Sequence, residues 1–207
     1  MKILVLGANG KVGSRVAHEL IARGHSVVAA IHNSKDNVPP EATLVSLDVT
    51  NSTAIIAALN GVDAVVCALS SWGSPDNYVL SSAMEAVIPA MQQAGVKRIV
   101  SVSGDVARLP GESSGLLTKA FHLLAFGPVR KVVEDSEKHL RMLYKSDLDW
   151  TVLRPTTMTS SENTKYKLVQ THPFSPVISR AAVVDCIVDL IETGGHIHKA
   201  PFITRTY

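Results

Sequence analysis

Three glycines near the start of the chain have the spacing that binding of a diphosphate requires. Gly7, Gly10 and Gly13 are each separated by two residues, and the apolar residues 3–6 come directly before them. Glycine lets the backbone approach phosphate oxygens closely, and the unpaired N–H groups at the start of a helix attract negative charge. The spacing predicts a strand, a turn against a pyrophosphate and then a helix.

The flanking residues support this interpretation on both sides of the glycines. A continuous apolar run that ends in glycine is typical of a strand buried on both faces. Val12, Val16 and Leu20 then follow at helical spacing. The alternative is a tight strand-to-helix turn that binds nothing.

Four polar residues follow the second predicted strand, at 26–31. They are His32, Asn33, Ser34 and Lys35. An NAD site places an acidic residue about 20 residues beyond the glycines, bonded to the ribose hydroxyls, and Asp36 lies too far along the loop. Donors and a positive charge suit a 2′-phosphate, which favours NADP(H) over NAD(H). The alternative is an ordinary polar loop.

Two further residues follow strands at the edge where a ligand would bind. Asp48, after the third strand, could accept a hydrogen bond from adenine or cap the next helix, as Asn51 also could. Trp72, after the fourth strand, could stack on a substrate or cover its own loop.

Composition excludes several classes of function. The chain has 207 residues, 46% of them apolar, and a net charge of +2 without a basic stripe. We therefore expect no nucleic-acid partner, no membrane span and no leader segment, and predict a soluble, cytoplasmic monomer or homodimer. Cys67 and Cys186 lie in apolar stretches and predict buried thiols. His196 and His198 form a weak metal pattern, but a turn is favoured and no metal is expected.

Strands alternate with helical segments along the chain. This predicts an α/β fold of the doubly wound Rossmann type, with a mostly parallel sheet and helices on both faces. We expect one domain over residues 1–207, with substrate-side elements at 105–128 and 155–178. The further predicted strands are at 43–47, 64–69, 98–102, 150–153, 166–170 and 201–204. The further predicted helices are at 52–59, 77–94, 129–145 and 180–192, with Ser179 as a cap and an apolar helical patch at 116–126.

Five segments together resemble a known family. They are GANGKVG at 7–13, DVT at 48–50, VSVS at 100–103, SDLDWTVLRP at 146–155 and ISR at 178–180. The chain resembles the atypical short-chain dehydrogenases/reductases, the NAD(P)H-binding family that includes biliverdin reductase B, a flavin reductase, and the NmrA-like proteins.

The resemblance implies a set of site residues. Pyrophosphate contacts would come from Gly7, Asn9, Gly10, Lys11, Val12 and Gly13, and adenine contacts from Asp48 and Val49. Ala68, Leu69 and Ser70 would follow the ribose and pyrophosphate, and Val102, Ser103, Pro155, Thr156 and Thr157 would surround the nicotinamide. His32, Asn33, Ser34 and Lys35 stand where the family often has arginine. Trp72, Ser103 and Thr157 would contact the substrate, although biliverdin reductase B has histidine where Thr157 stands.

The chain lacks the Tyr-x-x-x-Lys pair with which typical short-chain dehydrogenases protonate a carbonyl oxygen. Its tyrosines are Tyr78, Tyr144, Tyr166 and Tyr207, and none has lysine four residues later. This disfavours ordinary ketone reduction and sugar-nucleotide chemistry.

A nicotinamide site without that acid suits a planar acceptor such as a flavin or quinone, because hydride can reach flavin N5 without a protein proton. We therefore expect an NAD(P)H-dependent reductase with flavin as substrate and not as prosthetic group. Ser103 is the candidate catalytic residue, although it could simply end its strand. The alternative function is a silent NADP(H)-binding regulator of the NmrA-like type.

Overall fold

The computed structural model describes residues 1–32, 36–72, 74, 76–112, 127–173 and 177–206. Its helices are α1 (Gly13–Ala22), α2 (Ser52–Ala58), α3 (Val79–Ala94), α4 (Gly127–Lys145) and α5 (Arg180–Thr193). Its strands are β1 (Lys2–Leu6), β2 (Ser26–Ile31), β3 (Thr43–Ser46), β4 (Ala64–Cys67), β5 (Arg98–Val102), β6 (Asp149–Pro155), β7 (Thr157–Thr159), β8 (Tyr166–Val169), β9 (Val177–Ser179) and β10 (Phe202–Arg205).

The main sheet has eight strands in the order β3-β2-β1-β4-β5-β6-β10-β8. Its pairs are parallel except for β10 with β8, which is antiparallel. The chain runs outward from β1 to β3 and then returns to β4 on the other side of β1. Such a reversal opens a crevice at the carboxyl ends of the two central strands, where ligands bind in open α/β sheets.

Both faces of the sheet are covered, as the uninterrupted apolar strands predict. Alternate residues of β1 point to opposite faces: Leu4 packs among α2, α3 and α4, whereas Ile3 and Val5 pack among α1 and α5. The doubly wound, mostly parallel architecture predicted from the sequence is confirmed.

Buried polar side chains attach α4 to the carboxyl ends of β4 and β5. Asp135 on α4 is fully buried and accepts hydrogen bonds from the Ser71 hydroxyl and from the N–H groups of Leu80 and Ser81. No side chain of α3 itself caps its first turn. The carboxylate of another helix therefore satisfies these amides and complements the positive end of the α3 dipole.

One turn later on α4, His139 is also fully buried. Its Nε2 lies 2.9 Å from the Ser101 hydroxyl on β5, whereas Nδ1 has no partner in the described part of the chain. Burial lowers the pKa of the imidazole to about 4, although nearby Asp135 acts in the opposite direction. His139 is thus a neutral residue of the core.

Several predicted bounds need correction. β4 ends at Cys67, because β1 ends opposite it at Leu6. α3 begins at Val79, because the Asp76 carboxylate accepts the Tyr78 N–H at 2.8 Å and holds a turn there.

The β6 strand runs from 149 to 155, because it pairs with β5 at its start and with β10 at its end. The small parallel sheet of β7 and β9 was not predicted, since three residues show no visible alternation. The apolar patch at 116–126 lies outside the described residues.

Other expectations are confirmed. β2 and β5 have the predicted bounds, and the Ser179 hydroxyl caps α5 by accepting the Ala182 N–H. Both cysteines are buried free thiols, and burial raises the pKa of Cys186 to about 12. In the described part of the chain, no helix has the length and apolar character needed to cross a bilayer.

The buried imidazole of His139 predicts a specific pH dependence of stability. The unfolded chain takes up a proton near the ordinary pKa of 6.5, whereas the folded chain does so only near 4. Between these values only the unfolded state is protonated, so this residue's contribution is complete above pH 6.5 and falls with decreasing pH, by about 3 kcal/mol in total. His139→Gln should lose this dependence, as measured by urea unfolding across the window.

The matched control is His18→Gln, on the exposed face of α1. Its stability should follow the wild-type pH profile. Parallel profiles for wild type and His139→Gln would contradict the assignment of His139 as a buried neutral group.

Candidate functional site

The glycine turn follows the carboxyl end of β1 and contacts the segment after β4. Gly7 has a φ of +77°, and a Cβ at this position would lie 3.1 Å from the Ala68 carbonyl oxygen. A Cβ at Gly13 would lie 2.2 Å from the Gly7 carbonyl oxygen, which is an impossible contact. Two of the three glycines are therefore required by close backbone approach, and the turn presents bare backbone to the crevice.

The start of α1 carries donors that the chain does not use. The amide N–H groups of Lys11 and Val12 have no acceptor among the residues that the structure describes. No side chain caps α1, whereas α2 is capped by Asn51, α3 by Asp135 and α5 by Ser179. An uncapped helix start beside glycines is suited to an anion such as a pyrophosphate. The Lys11 side chain is exposed and Asn9 is half-buried at the same turn.

The residues after β2 are described only in part. His32 is exposed at the end of the strand, and Asn33, Ser34 and Lys35 lie outside the described residues. The Ser14 hydroxyl of α1 donates to the Asn37 carbonyl, so the far end of this loop is held against the helix that carries the glycine turn.

Asp48 is used locally and does not cap α2. Its carboxylate accepts hydrogen bonds from the Thr50 N–H at 2.9 Å and from the Thr50 hydroxyl at 2.8 Å, and these bonds hold its pKa below the ordinary value. The cap is Asn51, which accepts the Ala54 N–H at 3.1 Å. Asp48 is exposed after the end of β3, and Val49 beside it is half-buried.

The segment after β4 passes directly over the glycine turn. The Ala68 N–H donates to the Leu6 carbonyl, and Leu69 packs into the core. Ser70 is exposed, and its hydroxyl accepts the Trp72 N–H at 3.2 Å. Trp72 is 69% exposed, although its neighbour Ser71 is anchored to buried Asp135. The structure thus favours an indole that faces out of the loop over one that covers it.

Two hydroxyls without partners mark the ends of β5 and β6. Ser103 and Thr156 are 7% and 5% exposed, and neither hydroxyl has a hydrogen-bond partner among the described residues. Val102 and Pro155 precede them and are buried, and Thr157 is exposed. Because an unsatisfied buried hydroxyl is costly, two of them at neighbouring strand ends indicate a place where a ligand supplies the missing bonds.

The described tyrosines contact other partners. Tyr166 donates to Asp189 on α5, and burial together with this bond raises its pKa. The Tyr78 hydroxyl lies 3.4 Å from a Glu134 oxygen, and Tyr144 packs against Trp150. Tyr207 is outside the described residues. No described tyrosine hydroxyl therefore bonds to Ser103 or Thr156.

A surface hollow of about 530 Å³ lies at the opposite edge of the sheet, where α2 and α3 end. Its lining residues are Ile56, Ala57, Leu59, Asn60, Gly61 and Ala94. None of these carries a charge or a titratable group. The carboxyl edge, with its free amides and hydroxyls, is therefore the better candidate site.

Sequence reasoning missed the residues that support this edge. Asp135 lies 64 positions from Ser71, and His139 lies 38 positions from Ser101, so no motif links these pairs. The only sequence signal for Asp135 and His139 is that both are polar residues within the strongly amphipathic segment 129–145. His196 and His198 lie in the turn after α5, as predicted, both with a φ of +56°.

The sequence model of a family described as NAD(P)H-binding matches residues 7–194. An uncharacterised protein of Mycobacterium tuberculosis is 31% identical over 103 residues, which cover 50% of this chain but only 12% of that protein. The chain therefore spans a small part of the first curated relatives that it matches.

Solved structures share the fold over the whole chain. The oxidoreductase YlbE of Lactococcus lactis has a TM-score of 0.82 at 21% identity, covering 100% of this chain and 91% of its own. A provisionally assigned NADH-flavin reductase of Streptococcus pneumoniae has a TM-score of 0.78 at 21% identity, with both chains covered completely. At these identities the likeness shows the architecture alone.

The contact between Gly13 and Gly7 predicts the effect of adding one methyl group. Gly13→Ala should destabilise the fold by about 2 kcal/mol, because the neighbouring atoms are backbone and cannot move aside freely. Denaturant unfolding measures this change. The control is Gly104→Ala, whose added Cβ would meet only a Val106 methyl at 3.8 Å. Equal stability of the two variants would show that the turn is not tightly packed.

Proposed function

The chain belongs to the NAD(P)H-binding family, and on this premise we propose that it is a reductase that takes hydride from NADP(H) and passes it to a flavin or another planar, quinone-like acceptor. The observation that carries the proposal is the pair of buried hydroxyls of Ser103 and Thr156, which have no partner among the described residues. These residues follow β5 and β6, the two strands beyond β4 in the sheet.

The glycine turn is suited to the pyrophosphate of the nucleotide. The free amides of Lys11 and Val12 would donate to phosphate oxygens, and Gly7 leaves space that a side chain would fill. Exposed Lys11 adds a positive charge at the same point. The Ala68–Ser70 backbone borders the crevice opposite the turn, so it is suited to follow the ribose.

Ser103 and Thr156 would position the nicotinamide end. The Ser103 backbone N–H already donates to the Leu153 carbonyl at 2.9 Å, which fixes its Cα at the β5–β6 edge while its hydroxyl remains free. When bound, a reduced nicotinamide supplies a hydride from ring carbon C4. The two hydroxyls would hold the ring by its carboxamide or bond to the acceptor above it, so that the reacting atoms are aligned.

The acceptor is proposed to be planar because the site offers no Tyr-Lys acid and an exposed aromatic side chain stands beside it. A flavin can accept hydride without a simultaneous proton from a tyrosine. Trp72 presents its indole from a loop whose neighbouring residue, Ser71, is anchored in the interior. A flat ring stacked on an indole gains affinity at little cost in flexibility, because the loop is already held.

The test of the proposed function is direct. Purified protein is mixed with NADPH and FMN, riboflavin or menadione, and the absorbance of the reduced nicotinamide is followed. Turnover with these acceptors is expected. Tight NADPH binding without turnover would contradict the reductase and favour the alternative, a binding protein that senses the nucleotide.

The free hydroxyl of Ser103 predicts a defined kinetic change. Ser103→Ala should lower kcat for FMN about tenfold, the value of one hydrogen bond of about 1.4 kcal/mol, while the affinity for NADPH changes little. Steady-state kinetics and fluorescence titration measure the two quantities. Ser136→Ala, a buried serine on α4, serves as control. Equal losses of rate and NADPH affinity would show that Ser103 has only a structural role.

The residues after β2 predict the choice of nucleotide. Because His32 stands where the 2′-phosphate would lie, NADPH should bind at least about tenfold more tightly than NADH. His32→Asp should remove most of this difference by placing a negative charge beside the phosphate, while NADH affinity should not fall because the carboxylate can accept from the ribose hydroxyls. The dissociation constants follow from quenching of tryptophan fluorescence. Equal affinities of the wild type for both nucleotides would contradict the assignment.

A further inference from the structure

A carboxylate and an imidazole from distant parts of the chain meet beside the proposed nicotinamide site. Asp105 follows Ser103 by two residues, and His172 lies in the segment after β8. The Nε2 atom of His172 is 3.2 Å from Oδ2 of Asp105. Sequence analysis did not detect this pair, because 67 positions separate its members.

The imidazole is also held from a second direction. Its ring packs edge-on against Phe202 of β10, with ring centroids 5.2 Å apart and an interplanar angle of 66°. The Arg154 guanidinium covers the same phenyl ring, 3.8 Å from its centroid. The His172 side chain nevertheless remains 46% exposed. Its orientation is therefore constrained while its Nδ1 atom, which has no partner among the described residues, can exchange protons with water.

The loop that carries Asp105 is fixed by a partly buried ion pair. Arg154 is 1% exposed and binds both Glu112 carboxylate oxygens, at 2.7 and 2.8 Å, as well as the carbonyl oxygen of Ala107 at 2.8 Å. Burial would raise the pKa of Glu112, but the bonds from Arg154 and from the Leu109 N–H outweigh it and keep the pKa low. The bidentate pair of Arg154 and Glu112 therefore fixes the loop that carries Asp105.

The sheet register places His172 at the level of the reacting groups. Phe202 pairs with Arg154, one residue beyond Leu153, and the Leu153 carbonyl accepts the Ser103 N–H. Phe202 lies two strands from β5, which corresponds to about 10 Å across the sheet. A substrate lying over Ser103 would therefore extend toward His172.

We propose that His172 is a proton donor that extends this site to carbonyl substrates, which the missing Tyr-Lys pair would otherwise exclude. The inference rests on the proposed function, which supplies the reductant. The carbonyl carbon gains the hydride of the reduced nicotinamide nucleotide, the C=O π bond breaks, and the oxygen takes the Nδ1 proton of the His172 imidazolium. The products are an alcohol, the oxidised nucleotide and neutral imidazole, which regains its proton from water.

Asp105 is a positioning residue in this scheme. Its carboxylate accepts the Nε2–H of the ring, so that a proton on Nδ1 remains available to the substrate. The Arg154 guanidinium stacks on the same Phe202 ring that contacts His172, and its charge is balanced by Glu112. Carbonyl reduction should therefore depend on the ring proton of His172, whereas FMN reduction should not.

The experiment compares 4-nitrobenzaldehyde with FMN as acceptors for wild type, His172→Gln and Asp105→Asn, with NADPH as reductant. The Gln variant retains a donor for Asp105 but cannot deliver a proton, so its kcat for the aldehyde should fall about 100-fold while FMN reduction is unchanged. The control His18→Gln should match wild type with both acceptors. As a readout independent of activity, the nitrogen chemical shifts of the His172 ring should report the Nε2–H tautomer in wild type and a weaker preference for this tautomer in Asp105→Asn, because the Asp105 carboxylate accepts the Nε2–H.

The outcomes separate this inference from the proposed function. Reduction of FMN without reduction of the aldehyde by wild type, or equal aldehyde rates for wild type and His172→Gln, would overturn the role of His172 and leave the flavin reductase standing. An unchanged His172 tautomer in Asp105→Asn would overturn the role of Asp105. Failure with both acceptors would overturn the proposed function and this inference with it.

Discussion

The candidate site depends on the close approach of three backbone segments at the carboxyl ends of β1 and β4. Gly13 lies against the Gly7 carbonyl so tightly that no side chain fits, and Gly7 in turn lies against Ala68. This contact draws the start of α1 over the end of the central strand. Among the described residues, α1 has no side-chain cap and the Lys11 and Val12 amides have no acceptor, whereas the caps of α2, α3 and α5 are supplied. Backbone contacts therefore determine the shape of the crevice, and backbone N–H groups give it a positive potential.

The features visible in the sequence are those that local physics determines. Continuous apolar runs predicted the doubly buried strands, and glycine spacing predicted the turn. Ser179 was predicted as a cap and Asn51 as one of two candidate caps, because a cap depends on a few neighbouring residues. The features that the sequence did not reveal depend on long-range contacts. Asp135 caps α3 from another helix, and His172 reaches Asp105 across the sheet, so neither pair has a sequence spacing that could be read. The missed β7–β9 pair is too short to show a pattern.

The substrate side of the crevice is organised by charges that are compensated within the protein. Asp135 is satisfied by two amides and a hydroxyl, and Arg154 by two carboxylate oxygens and two backbone carbonyls. Groups paired in this way hold loops in place and are costly to break. By contrast, the hydroxyls of Ser103 and Thr156 and the Nδ1 atom of His172 have no partner in the described part of the chain and are available to a ligand. The site is assigned to this edge because its supporting charged groups are hydrogen-bonded within the protein, whereas the Ser103 and Thr156 hydroxyls have no partner among the described residues.

The proposed function depends on the glycine turn, which we propose holds the pyrophosphate of a nicotinamide nucleotide. Isothermal titration calorimetry of the wild-type protein with NADPH tests it most directly, because it needs no acceptor and no turnover. The account predicts saturable binding at one nucleotide per chain. Absence of a binding heat with both NADPH and NADH, from protein shown to be folded and at several temperatures, would contradict it.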